Sequence, residues 1–314
     1  MLQAEKEAEM EMEKVKKNAK DNVNQSENEL LDIPQGSWMD IWNSMKRNKR
    51  AMFGLVFILF LIFIALFADV IAPYGMREQN LSNALQSPNA DHWLGTDDLG
   101  RDVLSRIIYG TRVSLTVGTA AVRMSLVVGG ILGVLAGYFQ GKLDTLIMRT
   151  SDVLLSIPSI LLAIAIVASF GSSMQNMIVA IGISGIPVFA RIVRASVMAE
   201  KEKEYIEASK ALGATDLRII LRNIIPNIMS PVIVQSSMGV ASAILSAVGL
   251  GFIGLGLEAS IAEWGTMLSA GRGYIRTHYY LTLYPGLMIV LTVLAFNLLG
   301  DGIRDAIDPK MRER

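Results

Sequence analysis

No cysteine occurs in the 314 residues, so neither a disulfide framework nor a thiolate-bound metal is available to this chain. Histidine is nearly as scarce. His92 and His278 are the only two, too few for an ordinary zinc site without help from carboxylates. Net charge is zero, and no basic stripe with interleaved aromatics runs through the sequence, which removes the footprint of a nucleic-acid binder. An apolar run near the start is also missing. The first hydrophobic stretch begins only at Ala51 and is long enough to be a span rather than a cleaved leader. Charged residues make up 18% of the chain against 52% hydrophobic, with mean hydropathy +0.41. These values place the chain in a lipid bilayer.

Apolar runs near or above the ~20 residues needed to cross a hydrocarbon core recur six times. They predict spans near Ala51 to Ala72, Val113 to Tyr138, Leu146 to Phe170, Asn176 to Val193, Pro226 to Leu255 and Leu283 to Ile303. The fold class expected is therefore all-α, a polytopic transmembrane bundle of six spans. Orientation follows from the basic residues. Lys46 to Arg50, Lys142, Arg149, Arg191, Arg194, the 201–222 segment and Arg304 to Arg314 fall on one side, with only Arg77, Arg101, Arg106, Arg112, Arg272 and Arg276 on the other. The positive-inside rule then puts both termini and the 200–225 loop in the cytosol.

Residues 1–37 alternate acids with lysines and then turn polar, which reads as a mobile or weakly helical cytosolic tail. Residues 38–112 hold an interfacial segment, in which Trp38 and Trp42 sit at headgroup level, then the first span and an external loop. Residues 113–314 form the core.

The most informative stretch is Glu207-Ala208-Ser209-Lys210-Ala211-Leu212-Gly213. Tyr205, Ala208, Ser209 and Leu212 share one helical face, narrow and mostly small, while Lys203, Glu207 and Lys210 line the other at spacings that pair opposite charges. Gly213 is the residue expected just past a helix end, so the helix stops at Leu212. A second short helix is expected from Thr215 as N-cap through Leu221, and Pro226 fits the first turn of the next span.

This arrangement resembles the coupling loop of the membrane subunits of ATP-binding-cassette importers: Glu-Ala-Ala, three residues, Gly, nine residues, Ile, one residue, Leu-Pro. Glu207, Ala208, Gly213 and Pro226 match, whereas Ser209, Asn223 and Ile225 depart from it. Ser209 keeps the small size that close docking needs. The external run from His92 to Leu115, with Trp42 to Gly54 and Ile71-Ala72-Pro73-Tyr74, is similar to the C-type permease of oligopeptide, dipeptide and nickel importers. Gly254-Leu255-Gly256, Glu263 to Leu268, Tyr284 to Leu287 and Asn297 to Pro309 agree with the same group. In place of prolines found in many members, this chain has Glu258 to Ala262, which alters the outer mouth.

The resemblance implies a type I importer permease, one of two unlike membrane subunits in a bacterial or archaeal cell membrane. It implies two cytosolic ATPases that bind ATP and magnesium, an extracytoplasmic solute-binding protein and a peptide substrate. Tyr205, Glu207, Ala208, Ser209, Lys210, Leu212 and Gly213 are then the ATPase-coupling residues. No cofactor, metal or catalytic residue is expected on this chain. Gly141-Lys142 is its only Gly-Lys pair, with Ala136 and Leu143 where a phosphate loop needs Gly and Ser or Thr.

Four residues are pathway candidates. Arg123 lies ten residues into span two, near mid-membrane, where a lipid-facing guanidinium costs at least ~2.5–3.5 kcal/mol; it is expected to face a cavity or a partner helix. Asp152 is expected to pair with Arg149 at the inner boundary of span three. Ser246 and Gly249 lie in span five, whose Pro226 and Pro231 and terminal glycines suit a gate. In the external loop Thr96 or Asp97 is expected to cap a helix from Asp98 through Tyr109, with Arg101, Asp102 and Arg106 facing out. Asp97, Asp98 and Asp102 lack the ligand spacing of an EF-hand. Gly182-Ile183-Ser184-Gly185 has the form of an intramembrane protease motif, but both histidines lie in external loops. A secondary transporter is the main alternative, and it leaves the Glu207 loop without a task. Within the family, a nickel importer is the other.

Overall fold

The computed structural model describes residues 38–307; the acidic-basic tail of 1–37 and the closing 308–314 lie outside the described residues. The chain divides into two units, 1–43 and 44–314, and the helices from Lys49 onward belong to the second. Among the described residues the structure is helical, with one isolated antiparallel bridge between Thr96 and Asp102. The helices are α1 (Trp38–Arg47), α2 (Lys49–Leu66), α3 (Ala68–Ile71), α4 (Val103–Phe139), α5 (Gly141–Ser156) and α6 (Ser159–Phe170). They continue as α7 (Met174–Lys201), α8 (Glu204–Ala211), α9 (Asp216–Ile219), α10 (Ile225–Phe252), α11 (Trp264–Gly271) and α12 (Tyr280–Ile307). Five stretches are long and apolar enough to cross a membrane, and α5 with α6 makes a sixth if that bent pair is one span.

Local chemistry sets the ends. Asn48 caps α2, its Oδ1 accepting from the amides of Arg50 and Ala51 at 3.1 and 3.2 Å. Behind that cap Ala51, Gly54, Ile58 and Leu61 are buried, while Phe53, Phe60 and Phe63 face outward, as a bilayer permits. The packing partner of this buried stripe is α12.

Close backbone approach organises the centre. Gly129, Gly133 and Gly137 recur every four residues along α4, and a Cβ on them would lie 2.5, 2.6 and 2.8 Å from the carbonyl oxygens of Ile186, Ala190 and Arg194 on α7. Small residues at this spacing let two helices meet backbone to backbone, the packing mode that serves where no hydrophobic effect drives helices together. The sequence reading did not single out this stripe.

Three expected spans take a different form. Span two extends to the whole of α4, which absorbs most of the separate helix expected over 98–109. Span three is broken, with α5 and α6 bent by 86° at Ile157-Pro158, since Pro158 has no amide to donate and disfavours helical geometry in Ile157. The short helix from Thr215 runs into span five: α9 passes through a π turn, Ile220–Ile224, into α10, so that Asp216–Phe252 is one long stretch.

The end of the bundle opposite the 200–225 loop corrects a further expectation. Arg101 and Arg106 are each only 3% exposed, and Asp102 is buried with them. Amphipathic reading of the segment placed these side chains outward because it could not see residues 253–263 folding over them. Arg101 Nε donates to Asp97 at 2.6 Å, and the guanidinium groups of Arg101 and Arg106 both donate to the carbonyl of Ala259, at 2.8 and 3.1 Å. Asp102, not Thr96 or Asp97, caps α4: its Oδ2 accepts from the amide and hydroxyl of Ser105, and its Oδ1 lies 3.0 Å from His92 Nδ1. Tyr280, at the start of α12, donates to Gln86 O at 2.8 Å and so fastens the same loop to the last span. Glu263 is fully buried and caps α11 through the amides of Gly265 and Thr266, both at 2.8 Å.

Two outcomes follow. Gly133→Leu should abolish folded, monodisperse protein on size exclusion of the detergent-extracted chain. Gly130→Leu, which meets only Leu126 at 4.0 Å, should not. Burial pushes the Glu263 carboxyl up to about 7 against the opposing pull of its two amide bonds. Its contribution to stability is therefore complete below about pH 4.5 and is lost as pH rises through about 7. Hydrogen exchange at Thr266 should accelerate over that window, and Glu263→Gln should flatten the dependence.

Candidate functional site

Two features converge on function: the loop between α7 and α10, and a groove among α4, α6, α7 and α10. The loop is pinned from below. Ile206 of α8, Ile219 of α9 and Ile224 of the π turn are all wholly buried, and they join Tyr138, Val193 and Val197 from the ends of α4 and α7 in one apolar cluster. Burying one such side chain stabilises by about 1.5–3 kcal/mol. Polar contacts add direction. Tyr138 OH donates to Asp216 at 2.6 Å, Lys201 Nζ donates to Tyr138 O at 2.7 Å, and Lys201 and Lys210 both stand over the Tyr138 ring at 5.4 and 5.6 Å. Asp144 of α5 holds Arg194 of α7 through two bonds of 2.5 and 2.7 Å.

What the loop presents outward is the complementary surface. α8 ends at Ala211, with Leu212 as its C-cap and Gly213 at φ +81, where a side chain would be strained. Leu212 is 89% exposed, Leu217 67% and Leu221 55%. Glu207 and Ala208 are exposed beside them, and Ser209 is half-buried, its hydroxyl returned to Tyr205 O. The expected pairing of Lys203 and Lys210 with Glu207 does not form. Lys203 pairs with Glu200 at 2.8 Å and Lys210 faces Tyr138, leaving Glu207 without an ion pair among the described residues.

Tyr205 is exposed on this face, but its hydroxyl is tied back to the spans. Its hydroxyl donates to Glu200 and accepts from Asn227 Nδ2 at 3.1 Å, and partial burial with the neighbouring Glu200 carboxylate pushes it up to about 12. In the same place the backbone carbonyl of Asn223 accepts from Asn227 Nδ2 at 2.6 Å.

The groove has a volume of about 240 Å³ and is lined in part by Ser125, Ser159, Ser184, Gln235, Ser242 and Ser246. Of the four pathway candidates it includes Ser246 alone. Gly249 lies one turn further along α10, where a Cβ would come within 3.5 Å of Ile160. Asp152 pairs with Arg191 of α7 at 2.8 Å, not with Arg149, because the bend after α5 lays that helix across the end of α7. Arg123 is exposed near the middle of the 37-residue α4, outside the groove lining and without an ion pair among the described residues. Ser184 donates to Ile181 O at 2.8 Å, while His92 is bound to Asp102 and His278 to Thr277, so no serine–histidine pair forms among the described residues. Among the described residues no group of three acids or histidines is placed to hold a metal.

A bundle of broken and glycine-packed spans with an anchored, outward-facing helical loop is the architecture of a membrane permease. The chain belongs to the family of binding-protein-dependent transport system inner membrane components, whose model matches residues 129–313. Residues 36–88 match the N-terminal transmembrane domain of oligopeptide transport permease C. Similar relatives include the dipeptide transport system permease protein DppC of Alkalihalophilus pseudofirmus, 49% identical over 88% of this chain and 90% of that protein. The di/tripeptide permease DppC of Pseudomonas aeruginosa is 46% identical over 87% and 92%. The glutathione permease GsiD of Pectobacterium atrosepticum is 44% identical over 88% and 92%. An inward-facing structure of the MetNI methionine ABC transporter shares the fold, with a TM-score of 0.54 at 20% identity, covering 65% of this chain and 97% of that one. Family membership displaces the secondary-transporter alternative.

Ile206→Ala should lower the local stability of the loop by about 2–5 kcal/mol. Limited proteolysis between residues 203 and 215 should then run faster while the spans stay intact.

Proposed function

We propose that this chain is one of two unlike permease subunits of an ATP-driven peptide importer, and that the loop of α8 and α9 is where it meets the ATPases. The observation that carries this reading is a helix that exposes Glu207, Ala208 and Leu212 while its other face is anchored among the ends of α4, α7 and α10. An exposed surface joined rigidly to the spans is what force transmission needs. A push on it has little slack to take up before the spans move.

The substrate class follows the relatives, which are named for dipeptides, di- and tripeptides and glutathione. Peptide import is thereby favoured over nickel import. The loop end is cytosolic in this reading, in accord with its basic residues. ATP and magnesium are bound by the two partner ATPases, and a binding protein delivers peptide at the opposite end, whose loops the buried Arg101–Asp97–Ala259 layer holds in place. Closure of the ATPases draws the loops of the two permeases together and opens the spans outward. Arg123, without an ion pair among the described residues and at mid-span, reaches a polar group of the second permease, because a guanidinium facing lipid there is costly.

The coupling role is tested by peptide uptake and ATPase activity in proteoliposomes containing the whole complex. Glu207→Lys and Gly213→Pro at matched assembly should abolish uptake while basal ATP turnover persists. Normal transport by both variants would make the loop a bystander.

A further inference from the structure

The groove among α4, α6, α7 and α10 contains no ionisable residue, although it lies at the middle of three long spans. Its hydroxyls divide into two groups. Ser125 is committed, donating to Gly182 O at 2.7 Å and fixing α4 to α7. Ser184 and Ser246 return their protons to their own helices, at 2.8 and 2.9 Å. Ser159, Ser242 and Gln235, by contrast, have side chains with no hydrogen-bond partner among the described residues. Gln235 is the largest of these, with two N–H donors and a carbonyl acceptor on one planar amide. Polar groups left unpaired at membrane depth are costly unless something in a cavity satisfies them.

We infer that this groove holds the peptide in transit by its backbone amides, with Gln235 as the principal contact and Ser159 and Ser242 beside it. This rests on the peptide-import reading above. The chemistry points to amides for two reasons. A peptide group offers one N–H and one C=O, which a glutamine side chain complements in full. An uncharged lining neither attracts nor repels the side-chain charge that differs from one peptide to the next. The groove therefore reads what all peptides share and is indifferent to what distinguishes them, so selection by sequence falls elsewhere in the importer.

The test uses the complete importer in proteoliposomes with three dipeptides that differ only in one side chain: neutral, lysyl and aspartyl. Gln235→Leu should slow uptake of all three alike, by about tenfold. Gln235→Glu places a charge in a weakly screened groove and should raise the lysyl-to-aspartyl uptake ratio by on the order of tenfold. That ratio does not depend on how much complex assembles. An unchanged ratio in Gln235→Glu, or loss of the second permease from purified Gln235→Leu complex, would overturn the inference, the latter by showing that Gln235 is an inter-subunit contact. A wild-type complex that moves none of the dipeptides would overturn the peptide reading itself and the inference with it.

Discussion

Ile206 is the hinge pin of the structure. It is the wholly buried side chain of α8, and by sinking between the ends of α4, α7 and α10 it turns an exposed loop into part of the bundle. Without that anchor the helix would be a solvated segment between spans, free to yield when pushed. With it, Tyr138, Asp216 and Lys201 fix the remaining degrees of freedom through bonds that cross from one span to the loop and back. The surface left over presents Glu207, Ala208 and the exposed leucines Leu212, Leu217 and Leu221 to a partner.

The same logic of close approach runs through the centre of the molecule. The glycine stripe of α4 lets its backbone lie against α7, so that displacement of one helix is displacement of both. α7 leads directly into the anchored loop, and α10 leaves it through a π turn without a break. A force applied at α8 thus enters two spans at once, and the groove lies between them. The opposite end is closed by a different device: Asp97, Arg101 and Arg106 form buried ion pairs, and bonds to carbonyls tie the two arginines to Ala259 and Tyr280 to Gln86.

Much of this was legible in the sequence and some was not, for definite reasons. The spans follow from hydropathy because lipid imposes a length and a composition on them. The end of α8 was legible because Gly213 is the residue a left-handed turn asks for. The break at Pro158 is invisible to hydropathy, which sees one continuous apolar run over Leu146 to Phe170, and proline marks the position of a bend but not its size. Arg101, Asp102 and Arg106 were misread as outward because amphipathicity is a local property, and the carbonyl that receives both arginines belongs to Ala259, over 150 residues away. The isoleucines that anchor the loop were passed over in favour of the motif residues beside them. Of the pathway candidates, charge drew attention to Arg123 and Asp152, whereas the groove is built from serines and one glutamine that look unremarkable one at a time.

The central claim is that the loop and the spans move as one body, and the absence of cysteine makes it directly measurable. Glu204→Cys on α8 and Val127→Cys on α4, both at exposed positions, would carry a pair of spin labels in the assembled importer. The account predicts the same distance distribution between them with and without ATP, while labels placed across the two permeases report a change. A nucleotide-dependent change within the Glu204–Val127 pair would contradict it, because the loop would then be moving on its own.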